Sequence, residues 1–428
     1  MAASMRRDSP WLALGLLTAI STVGFIDRIV MNVLAVPIKA EFGLSDTQVG
    51  LLTGLAFSVL NATLGILVAR HAERGNRLSL IVIGTVLWSL ATAACGLVTN
   101  FVQLLLARIG VGVGEAVGLP SAQSVLADYF PPERRATAMS VFLLAPPIGA
   151  FIGSAGGGWV AQEWSWQSAF FIASLPGLML AALAWWLVAE PPRGRHDREA
   201  SSEVPSIGAV LARLLKLRSA RQLLFGSTLA SMVGFGLNAF LVFVFVRKFA
   251  MPLAQAALYS GLIGSLPGVI AVLAGGRMAD WLGAKNPAAY VVVPGVALLI
   301  GGPIYMLAIT RDDVTLLLAL LFVAAVFQYA YLGVTFGVFQ NLLHSRMRAT
   351  GYALLQVVYG IVGQGLGTLL VGWLSDRLAP RYGEAEGLVY ALLIASLIYL
   401  WAGAHYLLAG RHLKADLATV REGSPAAA

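Results

Sequence analysis

Long apolar runs alternate with short polar stretches along the whole chain. An apolar run of about 20 residues can cross a hydrocarbon core of roughly 30 Å as a helix. Helices are expected because backbone polar groups in lipid must be satisfied within their own segment, and the alternating ten-residue segments of a membrane β-barrel are not found in this sequence. The pattern predicts about twelve spans, at 11–37, 46–70, 77–99, 101–128, 136–161, 167–189, 221–249, 253–282, 288–310, 313–343, 347–378 and 384–411.

One long polar stretch, residues 190–220, divides the chain nearly in half. The sequence therefore predicts a six-helix bundle at 1–189, this stretch as a cytoplasmic linker, and a second six-helix bundle with a short tail at 221–428. The halves repeat each other, since Arg135-Ala136-Thr137 before span five recurs as Arg348-Ala349-Thr350 before span eleven. An even number of spans returns the chain to its starting side, so we expect an all-α fold of two bundles in the same orientation, related by a pseudo-twofold axis.

The second part of the linker, 207–217, has the pattern of an amphipathic helix. Arg213 and Lys216 fall outside its apolar face. Such a helix is expected to lie on the membrane surface. The apolar face consists of Val210, Leu211, Leu214 and Leu215.

Composition favours a membrane protein and excludes an ordinary soluble one. Hydrophobic residues make up 58% of the chain and charged residues 12%, whereas soluble domains carry about 25% charged residues. The net charge of +8 does not predict a nucleic-acid partner, because no compact basic patch is interleaved with aromatic residues. About 21 lysines and arginines fall on the side of the N-terminus and about six on the other side, which predicts a cell-membrane protein with both termini in the cytoplasm.

We expect no cofactor and no metal site. The lone Cys95 excludes a disulfide within the chain and every cysteine-based metal site, and its apolar surroundings predict a small buried thiol. None of the five histidines stands at metal-ligand spacing from an acidic residue. A Walker-type phosphate loop is not found, which argues against ATP as the driving force.

Four charged residues lie deep inside apolar runs, Asp27 and Arg28 in span one and Arg108 and Glu115 in span four. A charge near the centre of a bilayer costs several kcal/mol unless it is paired or hydrated, so such residues usually mark a pathway. Arg108 and Glu115 are seven residues apart and share a helix face, about 10 Å apart along its axis. Asp27 and Arg28 point roughly 100° apart, so each needs a partner on another helix. We expect Asp27 to pair with Arg108, which leaves Arg28 free.

These charges suit a site that binds both protons and an anion and that changes its ion pairs as it does so. The protonation of a carboxylate depends on its solvation and on any cation beside it, so we predict that Asp27 and Glu115, the more isolated acid, couple protons. Guanidinium groups match carboxylate and phosphate oxygens, so Arg28 and Arg108 are predicted to bind an anionic head group. A static ion pair that holds helices together is the alternative interpretation.

The deep polar residues of the second half are neutral. Asn238, Tyr331, Gln356 and Tyr359 are predicted to contact the substrate, although hydrogen bonds between packed helices account for them equally well. A charged first half and a neutral second half suit a substrate with an anionic head and an apolar remainder.

Span five combines proline with closely spaced glycines at Pro147, Gly149 and Gly153. Small residues at a spacing of four allow close helix contact, and proline bends a helix. We therefore predict a hinge or a tight interface in this span.

Several motifs resemble those of the major facilitator superfamily and, within it, the Spinster-like branch. The superfamily's loop motif, Gly-x3-Asp-(Arg/Lys)-x-Gly-x-(Arg/Lys), stands at 276–285 and in a weaker form at 69–77. Gly367-Thr368 departs from the expected Gly-Pro, which we expect to change how span eleven bends. The Spinster-like marks are Phe25-Ile26-Asp27-Arg28, Arg108 with Gly112-Val113-Gly114-Glu115-Ala116, Asp128-Tyr129-Phe130-Pro131 with Arg134-Arg135, and Arg346-Met347-Arg348-Ala349-Thr350.

The resemblance implies two six-helix bundles around a central cavity that rock between inward-open and outward-open states. It also implies a monomeric transporter, not an enzyme, with Asp27, Arg28 and Glu115 in the cavity and in proton coupling. Family members are associated with lysolipids and sphingoid phosphates. The expected partners are therefore protons, the lipid bilayer and a small-molecule or lipid-like substrate.

Charges near the cytoplasmic ends of the spans are predicted to form a gate. A carboxylate such as Glu73 or Asp280 can face the N-terminus of a helix from the opposite half and gain from its dipole, although these charges also set topology. The predicted gate consists of Glu73, Arg74, Arg77, Arg134, Arg135, Gly276, Asp280, Gly283, Lys285 and Arg348.

Our prediction is a proton-coupled secondary transporter for a small or amphiphilic organic anion. The alternative is a lysolipid or sphingoid-phosphate transporter or flippase with lateral access from lipid. An intramembrane enzyme would need a nucleophile or a metal beside a base, and the embedded charges supply neither. A sensor that does not transport would show no substrate flux in vesicles.

Overall fold

The described part of the chain consists mainly of helices, most of which are separated by only a few residues. The computed structural model describes residues 8–72, 75–193, 195, 206–344 and 347–422. Contacts divide the chain into a first unit, Met1–Ala200 with Ala250–Ser265, and a second unit, Ser201–Phe249 with Leu266–Ala428. The helix Leu253–Gly283 thus contributes its first part to the first unit and the remainder to the second. The three-part division expected from the sequence stays a prediction.

Nineteen α-helices are found among the described residues, and two of the spans also contain π-helical segments, Leu51–Leu55 and Tyr359–Leu366. The α-helices are α1 (Pro10–Phe42), α2 (Asp46–Gly50), α3 (Ala56–Ala72), α4 (Arg77–Cys95), α5 (Phe101–Glu115), α6 (Gly118–Tyr129), α7 (Pro132–Phe142), α8 (Ala145–Glu163), α9 (Trp166–Leu187), α10 (Ile207–Lys216), α11 (Arg218–Phe249), α12 (Leu253–Gly283), α13 (Ala289–Ile309), α14 (Val314–Tyr329), α15 (Tyr331–Leu342), α16 (Arg348–Val358), α17 (Gly367–Tyr382), α18 (Glu384–Ser396) and α19 (Ile398–Glu422).

Twelve stretches of the described chain are long and apolar enough to cross a membrane, which confirms the predicted number of spans. Their ends follow local helix chemistry. Asn76 and Asn100 accept hydrogen bonds from the third backbone N–H of α4 and α5, the arrangement expected of N-cap residues. Gly43 ends α1 with φ of 63°, a left-handed conformation that glycine adopts without strain.

Several spans are interrupted, a feature that the apolar pattern does not predict. In span four, α5 ends at Glu115 and α6 begins at Gly118. In span ten, α14 ends at Tyr329 and α15 begins at Tyr331. Interrupted helices expose backbone groups and are common where transporters bind ligands.

Span eleven has an irregularity at the predicted departure from Gly-Pro. Its π-helical segment, Tyr359–Leu366, ends immediately before Gly367. The Thr368 hydroxyl donates to the carbonyl oxygen of Gln364 at 3.0 Å. Threonine therefore gives one carbonyl of the π-helical turn an additional hydrogen bond, which proline cannot supply.

Span five, for which the sequence predicts a hinge or a tight interface, consists of two helices. It divides into α7 and α8, and Pro147 lies in the first turn of α8, where proline is tolerated without disrupting a helical hydrogen bond. The predicted close contact is present, because a Cβ on Gly149 would lie 2.6 Å from the Thr22 carbonyl oxygen and one on Gly153 would lie 2.8 Å from that of Ile26. Helices α1 and α8 can pack this closely only because these positions are glycines.

The amphipathic linker helix is present as α10, but its apolar residues do not share one environment. Val210 and Leu214 are buried in the second unit, while Leu211 and Leu215 are exposed. The Arg213 Nε donates to the Leu342 carbonyl oxygen at 3.4 Å. One apolar edge of α10 therefore packs on protein, and its position on a membrane surface stays a prediction.

Candidate functional site

The first unit brings the four embedded charges into one cluster on α1 and α5, and glycines make this possible. A Cβ on Gly112 of α5 would lie 2.6 Å from the Phe57 carbonyl oxygen of α3, and one on Gly84 of α4 would lie 2.8 Å from the Gly114 carbonyl oxygen. The backbones of α3, α4 and α5 are therefore in close contact around the charged residues. Arg108 interacts electrostatically with Glu115, Asp27 and Arg28.

An ion pair joins Arg28 of α1 to Glu115 at the end of α5. The Arg28 Nη2 donates to Glu115 Oε2 at 2.7 Å, and the side chains are 25% and 5% exposed. Glu115 Oε1 is buried and has no hydrogen-bond partner among the residues that the structure describes. The expectations that Glu115 is isolated and that Arg28 is free are therefore wrong for this structure, because the interruption of span four places the carboxylate beside α1.

Asp27 and Arg108 are fully buried but do not form the predicted ion pair within 4.0 Å. Asp27 Oδ2 instead accepts a hydrogen bond from the Thr92 hydroxyl of α4 at 3.1 Å. Asp27 Oδ1 and the Nε and Nη2 of Arg108 have no partner among the described residues. The cluster therefore retains unused donors and acceptors deep in the first unit.

Phe57 links the two arginines. The Arg28 guanidinium lies 4.6 Å and the Arg108 guanidinium 5.5 Å from the centroid of its ring. A second ring, that of Phe25, lies 5.0 Å from Arg28. Cation–π attraction of this kind is stronger where water is excluded. Sequence reasoning missed Phe57 and Thr92, because an aromatic residue and a threonine inside apolar runs give no signal of their own.

Cys95 is buried at the end of α4 and interacts electrostatically with Arg108 and Asp27. Its predicted role as a small buried thiol is confirmed by its exposure of 0%. The thiol lies beside the charged cluster and not on the surface.

The cluster combines a partly exposed cation, Arg28, with two acids that each have one carboxylate oxygen able to accept a further hydrogen bond. Arg28 is the more exposed partner of its ion pair, so a competing anion can reach it more readily than it can reach Arg108. Protonation of Glu115 would remove the charge that holds Arg28 in place. A buried ion pair of this kind is strongly coupled to the protonation of its acid.

The neutral candidates of the second unit lie around the interruption of span ten. The Asn238 Nδ2 donates to the Tyr329 hydroxyl at 3.4 Å, and the Tyr331 ring lies 6.3 Å from that of Tyr406. Tyr359 packs on an aromatic ring of α15, and its hydroxyl has no partner among the described residues. Gln356 is half-buried. A role for these residues in substrate contact stays a prediction.

Arg77, expected at the gate, is buried inside the first unit. Its guanidinium donates to Asp128 at 2.5 Å, to Glu190 at 2.7 Å and to the Pro191 carbonyl oxygen at 3.2 Å. It also donates to Ser124 at 2.9 Å. Arg77 therefore ties the start of α4 to the end of α6 and to the segment that follows α9.

The remaining gate candidates differ in their surroundings, and Glu73 and Arg74 lie outside the described residues. Arg135 Nε donates to the Ala127 carbonyl oxygen and Arg348 Nε to that of Gln340, so the repeated Arg-Ala-Thr motif makes the same contact eight residues back in both units. Arg134 and Asp280 are exposed, and Gly276 is half-buried.

The last two gate candidates belong to the loop motif of the second unit. Lys285 lies 5.0 Å from the Trp281 ring, and a Cβ on Gly283 would lie 2.5 Å from Tyr290 Cζ. The gate as a whole stays a prediction.

Comparison with known proteins gives the family. The family model of the Major Facilitator Superfamily matches residues 16–368. The chain belongs to this superfamily. An MFS-type efflux pump of Mycolicibacterium smegmatis is 30% identical over 94% of this chain and 93% of its own length.

Spinster proteins are also similar to this superfamily member over nearly all of its length. Protein spinster homolog 1 of Mus musculus is 26% identical over 94% of this chain and 81% of its own, and the sphingosine-1-phosphate transporter SPNS2 of Danio rerio is 24% identical over 95% and 85%. The crystal structure of a bacterial homolog to human lysosomal transporter Spinster, inward-facing and unoccupied, superposes with a TM-score of 0.86 at 29% identity, covering 95% of this chain and 98% of that one.

These similarities confirm the resemblance and the all-α fold class, and they place the chain in a family of transporters and not of enzymes. The chain is a Spinster-like transporter of the superfamily and a multi-pass membrane protein. The charged cluster therefore belongs to the first half of a transporter fold.

Proposed function

We propose that the chain is a proton-coupled secondary transporter that moves a small or amphiphilic organic anion by alternating access. The observation that carries the proposal is the Arg28–Glu115 ion pair, whose cation is partly exposed and whose acid is buried. An anion that binds Arg28 must compete with the Glu115 carboxylate. A proton on Glu115 removes that competitor.

Proton and anion binding should consequently favour each other. Protonation of Glu115 frees Arg28 for the anion, and by linkage the bound anion makes protonation of Glu115 more favourable. Asp27 is proposed as the second proton carrier, because one of its oxygens is buried without a partner. Arg108, whose Nε and Nη2 have no hydrogen-bond partner within the described part of the chain, is proposed to hold a positive potential at the base of the site.

The test uses purified protein in proteoliposomes with sphingosine-1-phosphate and benzoate as probe anions. In the wild type, an imposed proton gradient should change the flux of at least one probe, and proton movement should be recorded by a trapped pH dye. Glu115→Gln should weaken the response of the flux to the gradient, because the competing carboxylate is gone and only Asp27 remains as a proposed proton carrier. Glu133→Gln, which changes an exposed acid in the first turn of α7, is the matched control and should keep the coupling. Flux that responds equally to the gradient in Glu115→Gln would contradict the coupling role.

The second candidate is a lysolipid or sphingoid-phosphate transporter or flippase that takes its substrate laterally from lipid. The similarity to a sphingosine-1-phosphate transporter favours it. Flux of sphingosine-1-phosphate without any flux of benzoate, and competition by other single-chain phospholipids, would support this candidate over a small-anion transporter. We further propose a monomer in the cell membrane with both termini in the cytoplasm.

A further inference from the structure

Polar side chains lie on an exposed face of the second unit, inside two membrane-spanning helices. Gln222 of α11 and His405 of α19 are hydrogen-bonded to each other through Gln222 Oε1 and His405 Nδ1, and both belong to candidate spans. Both residues are half-buried. Polar side chains at such positions usually have a function, because lipid does not solvate them.

The geometry of this pair presents one ring nitrogen outward. Because Gln222 Oε1 accepts, His405 Nδ1 carries the hydrogen, and Nε2 has no partner among the described residues. The imidazole lies 6.0 Å from the Phe225 ring and 5.9 Å from the Trp401 ring, and both aromatic residues are exposed. The imidazole therefore packs against an aromatic ring of each of the two helices.

Helices α11 and α19 pack closely at this place, and we call the surface between the Phe225 and Trp401 rings the crevice. A Cβ on Gly226 would lie 3.0 Å from the Ala402 carbonyl oxygen and 3.1 Å from His405 Cβ. The two backbones therefore approach closely beneath the aromatic rings. The rings of Phe225 and Trp401 form apolar walls on the two helices.

Two exposed arginines stand next to the crevice. Arg218 and Arg221 precede Gln222 by one turn and by one residue, and the side chain of neither forms an ion pair or hydrogen bond within the described part of the chain. The carboxylate of Asp416 is hydrogen-bonded to Ser219 instead, because its Oδ2 accepts from the backbone N–H and the hydroxyl of that residue. The stretch 206–222 contains four basic and no acidic residues, so the charge left at this end is positive.

We propose that this face binds the phosphate head group of an anionic membrane lipid. Arg218 and Arg221 contact the phosphate, His405 Nε2 adds a polar contact below it, and an acyl chain lies along Phe225 and Trp401. Basic pockets between spanning helices favour anionic head groups, and guanidinium groups match phosphate oxygens. The occupant is a lipid and not free phosphate, because the polar groups border exposed aromatic rings at the edge of the spans. We call these residues the α11–α19 face.

The test measures tryptophan quenching in mixed micelles by phosphatidylglycerol and phosphatidylcholine with brominated acyl chains. The chain has 10 tryptophans, so the signal of Trp401 is obtained as the difference between the wild type and Trp401→Phe. The wild type should bind phosphatidylglycerol more tightly than phosphatidylcholine at Trp401. The double variant R218Q/R221Q should weaken binding of phosphatidylglycerol by roughly 30-fold, the loss expected for two basic residues at an anionic surface, and should leave phosphatidylcholine unchanged.

The matched control is R411Q/K414Q, which makes the same change of charge at exposed positions of α19 off the crevice. It should alter the preference less than R218Q/R221Q does, because helix periodicity places Arg411 and Lys414 on a different face of α19 from Trp401 and His405. Equal quenching by the two lipids in the wild type, or an equal loss in the control, overturns the proposal. So does displacement of the lipid by inorganic phosphate as readily as by added phosphatidylglycerol. If the double variant does not fold, the single variants Arg218→Gln and Arg221→Gln should each weaken binding by roughly fivefold.

Discussion

Removing Arg28 and removing Glu115 from their ion pair should lower the stability of the protein by different amounts. Arg28→Met leaves a carboxylate that is 5% exposed and has no hydrogen-bond partner within the described part of the chain, because Glu115 Oε1 already lacks one there. Glu115→Gln leaves a guanidinium that is 25% exposed and still stacked on Phe25 and Phe57. The first variant should therefore lose more stability than the second.

Magnitudes follow from the burial of each partner. Breaking a buried pair costs about 3–5 kcal/mol, and the partial exposure of Arg28 places Arg28→Met near about 3 kcal/mol. Glu115→Gln should cost about 1–2 kcal/mol, because the remaining cation keeps water and two aromatic rings as partners. The double variant should cost less than the sum of the single variants, with a coupling of about 1.5–3 kcal/mol.

The assay is a double-mutant cycle on the free energy of unfolding in mixed micelles. Asp8→Asn and Arg195→Gln provide the control cycle, because that pair has a similar N–O distance of 2.8 Å but both side chains are exposed. Its coupling should stay below about 1 kcal/mol. A coupling below about 0.5 kcal/mol for Arg28 and Glu115, or a larger loss in Glu115→Gln than in Arg28→Met, would refute the reasoning.

Two further variants test the packing around the cluster. Gly112→Ala should lower the free energy of unfolding by about 1–3 kcal/mol, because its Cβ would lie 2.6 Å from the Phe57 carbonyl oxygen. Gly156→Ala, whose Cβ would meet nothing within 4 Å, should leave it unchanged or raise it by up to about 1 kcal/mol, because alanine is favoured over glycine inside a helix. Arg77→Gln should cost about 3 kcal/mol, because two acids lose their shared cation, whereas the exposed Arg134→Gln should be nearly neutral. Thermal unfolding in detergent measures both, and equal losses in a variant and its control would contradict the explanation.

The spans and the embedded charges could be predicted because their signals are local. Apolar length fixes where a helix can cross a membrane, and a charge inside such a run is visible without knowing its neighbours. The partner of each charge could not be predicted, because it depends on helix rotation and depth. Residue counting favoured Asp27 with Arg108, whereas the interruption of span four and the glycine contacts of α5 bring Glu115 to Arg28.

The irregular backbone of several spans also could not be predicted from the sequence. Spans two and eleven contain π-helical segments, and spans four and ten are interrupted, yet their residues have ordinary apolar composition. Thr368 gave the one hint, as a departure from the expected Gly-Pro, but its bond to Gln364 became visible only in the structure. The role of Phe57 could not be predicted either, because its contacts with Arg28 and Arg108 depend on how three helices pack together.

The burial of Cys95 beside the charged cluster has a practical consequence for spectroscopy. Because it is the single cysteine of the chain and is inaccessible, a cysteine introduced at an exposed position can carry a fluorescent or spin label without first removing the native thiol. The same burial makes Cys95 a built-in reporter. A substrate, a change of pH or a substitution that opens the first unit around Arg108 should make this thiol react with an alkylating reagent. Because Cys95 is a native residue, the measurement needs no introduced label in the cluster.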